Sequence, residues 1–289
     1  MEYYIHLCIL VGIYFILAQS FNVTIGLGRL FNLAHVAAYA LGAYVTALGS
    51  TEFEMGPARC MISSALVSGL FALLLGGIAL RLAGDYFAIG TLAFSSIVSA
   101  LLVNWKSVTH GVLGIPGIPR PEIGGVSLYD NTDFLVFVVC IAGVSQLLLY
   151  FLFRSPYSRV LRAQAEDRLA TMTLGRDVRL VNTTAFFISS LFAGVAGSLF
   201  AYYLNYIDPS SFSFAEMIFL LSIVVIGAPG SFWGCLAATT FLVLLPEPLR
   251  FLELPSSILG PMRQLLHSIV LLAVVFLNRA RLFPSQREV

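Results

Sequence analysis

Long apolar stretches alternating with short polar breaks run through the whole chain. About 20 apolar residues cross roughly 30 Å of hydrocarbon. By that measure, candidate spans lie near 4–21, 30–49, 60–80, 86–103, 134–153, 183–206, 215–231, 233–252 and 264–278. The pattern predicts an all-α, polytopic transmembrane bundle of about nine spans (roughly eight to ten), read as a single domain over 1–289. The fourth, seventh and ninth stretches are short. The tight turn GAPGSFWG (227–234) is all that separates the seventh from the eighth, making one of that pair a candidate for a re-entrant or broken helix.

The polar positions orient this pattern. A polar island, Ser155 to Asn182, together with Arg154 at its edge, carries Arg154, Arg159, Arg162, Arg168, Arg176 and Arg179, six of the chain's fifteen arginines. Arginine is enriched in cytoplasmic loops, which puts the segment 154–182 inside. Alternation from there places Arg29, Arg81 and the tail with Arg279, Arg281 and Arg287 on the same side. The loops 50–59 and 104–133 and the turn at Asp208 fall outside, giving N-out, C-in. The outer loop contains GVLGIPGIPRPEIGG, too rich in Gly and Pro for a helix, and is expected to form a structured cap.

Composition sharpens the class. The chain is 58% hydrophobic and 11% charged, with a mean hydropathy of +0.91, whereas soluble domains carry about 25% charged residues. A water-soluble globule is excluded. The net charge of +1 makes no case for nucleic acid. The four cysteines lack CxxC spacing and the four histidines lack HExxH pairing, so neither a disulfide framework nor a metal site is indicated. Lys106 is the sole lysine and no GxxxxGK[ST] pattern occurs, so the chain is not expected to bind ATP by a P-loop. Without a nucleophile elbow or catalytic cluster, it is read as non-enzymatic and cofactor-free. The first apolar run has neither a basic leader nor an A-x-A exit, which argues against a cleavable signal peptide.

Within the arginine-rich loop, Ser155-Pro156 is a helix start. Glu166 and Asp167 are expected to open a second short helix, with Leu169, Met172 and Thr173 on one face and Gly175 closing it at positive φ. So short a helix is marginal in water, and docking on a partner would stabilise it. Asn32 and His35 are placed early in the second span, where polar groups either hydrogen-bond between helices or line a pathway. Gly42 and Ala43 offer a surface for close packing. Gly84 marks a break before the fourth span, Asp85 and Glu216 read as carboxylates at helix starts, and Gly227, Gly230 and Gly234 as a tight structural turn.

GDYFAIGTLAF, GIPGIPRP, SPYSRVLRAQAEDRLATMTLG, FFISSLFAGVAGSLFAYYLNYIDPSSF and GAPGSFWG occur in order over roughly 84–250. Together they resemble the permease subunits of ATP-binding-cassette importers for branched-chain amino acids and related substrates, LivM type. The resemblance implies an inner-membrane location and a heterodimer with a LivH-type permease. It also implies two cytoplasmic ATPase subunits, a periplasmic substrate-binding protein and transport by alternating access. The family's coupling loop corresponds to Ala165–Gly175, with Glu166, Asp167, Ala170 and Gly175 matching. The substrate stays open among leucine-like and other amino acids, urea or short amides, and aromatic acids. An ion-coupled secondary transporter is the rival class, against which Asp85, Asp208 and Glu216 all map near span ends.

Overall fold

The computed structural model describes residues 2–82, 85–123, 126–248 and 256–277. The described chain is almost wholly helical. Its helices are α1 (Glu2–Asn22), α2 (His35–Thr51), α3 (Pro57–Ala79), α4 (Asp85–Asn104), the single turn α5 (Lys106–Thr109), α6 (Asn131–Arg154), α7 (Pro156–Glu166), α8 (Arg168–Thr173), α9 (Val178–Leu204), α10 (Phe214–Ile226), α11 (Phe232–Leu244) and α12 (Ser256–Leu277). A π-helical turn, Val23–Leu27, extends α1. Among the described residues, five segments are long and apolar enough to cross a membrane: Glu2–Leu27, Pro57–Ala79, Tyr86–Asn104, Asn131–Arg154 and Val178–Leu204.

Three expectations change. The second helix begins at His35 instead of near residue 30, because residues 28–34 run irregularly before it. The fourth and ninth stretches, expected to be short, form helices of 20 and 22 residues. The seventh and eighth apolar stretches fold as helices of 13 residues each. At 1.5 Å per residue each is about 20 Å long, short of the hydrocarbon thickness, so α10 and α11 form a broken pair about the 227–231 turn.

The bundle is built around α9, whose buried face runs almost continuously from Ala185 to Tyr203. Small residues let α2 and α3 approach it at backbone distance. A Cβ on Gly42 would lie 2.5 Å from Cα and O of Gly194, and one on Gly194 would lie 2.5 Å from the Ser64 carbonyl. Hydroxyls fasten the same crossing. Ser64 Oγ donates to the Gly42 carbonyl and Ser68 Oγ to that of Ala38, both at 2.8 Å, and Thr46 and Ser64 share a hydroxyl contact of 2.7 Å. In lipid, association rests on such packing and hydrogen bonds because the tails are as apolar as the side chains.

The loops meet in two groups at opposite ends of the long helices. At one end, Gln164 Nε2 donates to the Gly28 carbonyl at 3.2 Å and Arg162 Nη2 to that of Gly230 at 3.3 Å. At the other, strand β1 (Ile115–Pro116) pairs antiparallel with β4 (Tyr206–Ile207), Ile115 opposite Ile207. A second two-residue pair, β2 (Glu122–Ile123) with β3 (Val126–Ser127), lies in the same loop. Arg120 anchors that loop by donating to the Tyr129 carbonyl at 2.7 Å and to Asn131 Oδ1 at 2.9 Å.

Candidate functional site

The arginine-rich segment is a rigid base carrying an exposed short helix. Ser155 caps α7, its Oγ accepting from the Ser158 amide at 3.3 Å, with Pro156 in the first turn. Ser158, Leu161 and Gln164 form one buried face at a spacing of three, while Arg159 and Arg162 stay exposed. The Tyr157 hydroxyl donates to the Val181 carbonyl at 2.7 Å, and burial pushes that phenol's pKa up. This face seats α7 on the foot of α1, while Arg162 reaches the 227–231 turn from beside it.

The second helix, α8, starts at Arg168, beyond the expected Glu166–Asp167 opening. Glu166 is the last residue of α7 instead of the opening of the next helix. Asp167 alone provides the cap, its Oδ1 accepting from the Ala170 amide at 2.9 Å. The physical reason is its extended backbone (φ −144°, ψ 104°), which breaks the helix and presents the carboxylate to the free amides beyond it. Gly175, at φ +75°, terminates α8. Its amide donates to the Met172 carbonyl at 3.0 Å and that of Arg176 to Thr171 at 3.3 Å, the paired closure that a left-handed residue permits. Asp177, not singled out from sequence, caps α9 through the amides of Arg179 and Leu180 at 2.9 and 3.2 Å. Only its position just after a helix-stop glycine signals that role.

On α8, Thr171 points in and the apolar residues point out. Leu169 is 75% exposed, Met172 52% and Leu174, just beyond the helix, 80%. Ala170 lies exposed between them.

The 227–231 turn and the foot of α1 interlock beneath α7. Asn22 Nδ2 donates to the Ser231 carbonyl at 3.0 Å, while its Oδ1 accepts from the Gly230 amide at 2.8 Å. Gly230 has φ +80°, and a Cβ on Gly234 would fall 1.9 Å from the Gly227 oxygen. Asn22 was missed because a single amide near a span end has no spacing to distinguish it.

His35 is the first residue of α2 and fully buried, stacked on Phe21 at 4.9 Å between centroids. Its Nε2 lies 3.2 Å from Ser20 Oγ and 3.3 Å from the Leu17 carbonyl, and its Nδ1 3.3 Å from Ser189 Oγ. The imidazole therefore bridges α1, α2 and α9. Asn32 lies before α2 instead of within a span, and its Oδ1 accepts from the Ala34 amide at 3.1 Å. The structure does not bring these two residues into the loop assembly. Gly84 lies outside the described residues, as does the side chain of Asp85, the first residue of α4. Arg279, Arg281 and Arg287 also lie outside them.

Residues 3–277 match the family described as branched-chain amino acid transport system / permease component. The chain belongs to this permease family. Among its relatives are the proteins named "High-affinity branched-chain amino acid transport system permease protein LivM" of Salmonella typhimurium and Escherichia coli. They are 38% and 37% identical over 261 residues, covering 82% of this chain and 61% of each relative. A probable LivM permease of Methanocaldococcus jannaschii is 27% identical over 154 residues, 52% of this chain and 44% of that protein. The chain thus spans about three fifths of the length of the two bacterial relatives. No solved structure matches it. This permease is a multi-pass membrane protein of the LivM type.

Proposed function

We propose that this chain is one of two permease subunits of an ATP-binding-cassette importer in the bacterial inner membrane, forming half of a pathway for branched-chain or related amino acids. The observation that carries the reading is α8, a two-turn helix stopped at both ends and presenting Leu169, Met172 and Leu174 to solvent from a base of arginines. Apolar side chains exposed on so rigid a mount have no use to an isolated permease. They suit the groove of a cytoplasmic ATPase, to which α8 would pass the movement of ATP-driven closure. Because α7 is bonded to Gly28 and Gly230, displacement of α8 reaches α1 and the α10–α11 pair directly, and alternating access follows from tilting those elements. The other partners are a LivH-type permease and a periplasmic binding protein that holds the substrate tightly. Urea or amide cargo is the alternative within the same family.

The test is uptake of a labelled panel of leucine, other amino acids and urea into liposomes holding the complete complex, with and without internal ATP. ATP-dependent uptake that survives collapse of the proton gradient is the expected result. Gradient-driven uptake by the isolated chain would establish an ion-coupled secondary transporter instead.

A further inference from the structure

A cavity of about 660 Å³ opens between α1, α10, α11 and α12, at the end of the bundle that carries the Ser210–Ser213 turn. Its walls include Glu216 on α10, Glu247 just beyond α11 and Arg263 on α12. Each holds a buried atom with no hydrogen-bond partner: Glu216 Oε1, Glu247 Oε2 and Arg263 Nε. Buried polar atoms are almost always paired, and each exception calls for a cause. Here three exceptions of both charge signs share one cavity.

Glu216 makes the point most clearly. Ser213-x-x-Glu216 has the spacing of a capping box, in which the carboxylate would turn back to the helix start. The Ser213 side chain makes no cap, and the Glu216 carboxylate meets the Tyr14 hydroxyl of α1 instead, leaving Oε1 free. The remaining wall is apolar where Leu10, Phe219 and Leu242 meet.

We infer that this cavity is a transient site for an α-amino acid zwitterion, with the substrate carboxylate at Arg263, its ammonium at Glu216 and Glu247, and its side chain against Phe219 and Leu242. A guanidinium answers a carboxylate through directed, charge-assisted donors, and two carboxylates answer an ammonium. Urea carries no charge to engage either group. The inference rests on the importer reading and gives its amino-acid cargo a site within this chain.

The test uses the complete complex in a cysteine-free background carrying Ala215→Cys, a small change on the cavity wall. In detergent, without binding protein, millimolar leucine should slow modification of that thiol at least about threefold. 4-Methylpentanoate, which lacks the ammonium, and 3-methylbutylamine, which lacks the carboxylate, should leave it unchanged. Arg263→Gln and Glu216→Gln should remove the protection and lower ATP-driven leucine uptake about tenfold or more, the usual loss for a charged hydrogen bond, while still co-purifying with the ATPases. Equal protection by leucine and both analogues, or none, overturns the site, as does normal uptake by both variants. In those outcomes ATP-driven uptake by the wild-type complex would leave the importer reading standing. A wild-type complex that takes up no amino acid with ATP sinks that reading, and with it the site.

Discussion

Asp167 and Glu166 are adjacent carboxylates with opposite expected consequences. Asp167 holds the first free amides of α8, and losing such a cap costs about 0.5–2 kcal/mol. Asp167→Ala should therefore fray α8 and weaken co-purification with the proposed ATPase partner several-fold. Glu166 ends α7 without a capping role, so Glu166→Ala should change stability by no more than about 0.5 kcal/mol. Gly175→Val forces a β-branched residue into φ +75° and should act like Asp167→Ala. Equal binding by all three variants would refute the role given to α8. At the other end, Asp208 is partly desolvated, which raises its pKa. The hydroxyls of Ser210 and Ser211 outweigh that and hold the carboxyl below its usual range. Because the folded pKa is lowered, the turn's stabilisation is complete above the unfolded carboxylate range and is lost as pH falls through the lowered value. Hydrogen exchange at Ser210–Phe212 should quicken on acidification, and Asp208→Asn should flatten that response.

The α2–α3–α9 crossing is the most extensive helix contact among the described elements. Gly42 and Gly194 meet backbone to backbone, so neither site can take a side chain without moving a helix. Gly42→Val should cost at least the 1–3 kcal/mol typical of overpacking, read as a lower midpoint of thermal unfolding in detergent. Gly143, on α6, has open space around it, and Gly143→Ala is the control expected to keep or slightly raise that midpoint, since alanine favours the helix. The α10–α11 pair behaves differently as an element. Two helices of 13 residues are joined at a glycine turn that Asn22 pins through two bonds and Arg162 through one. Asn22→Ala removes both bonds and should loosen the turn, seen as faster proteolysis at 227–231.

Across the whole molecule, the charge asymmetry makes a single prediction about sidedness. In a cysteine-free background, Arg162→Cys and Arg176→Cys should react with an impermeant thiol reagent from the cytoplasm alone, and Glu122→Cys and Asp130→Cys from the outside alone. The loop groupings agree with that division, since 22–30, 161–164 and 228–231 meet at one end and 115–118 meets 205–207 at the other. Labelling of Arg162→Cys from outside would invert the protein.

Sequence alone determined the helical membrane class, the two-helix character of 154–182, the Gly175 stop and the permease family. These follow from local composition, from the roughly 20-residue apolar period and from motif strings, none of which needs a neighbour in space. Tertiary structure decided where helices end and what the isolated polar groups do. The glycines and proline of 227–234 mark a turn in the sequence, but not what holds it: Asn22, 208 residues away from Gly230, bonds both Gly230 and Ser231. Glu216 has the spacing of a helix-start carboxylate, and its orientation toward Tyr14 and the cavity exists only because α1 packs beside α10. Arg263 and Glu247, separated from Glu216 along the chain, share that cavity through folding alone, since a charge pattern assembled from two helices and a turn has no period in one dimension.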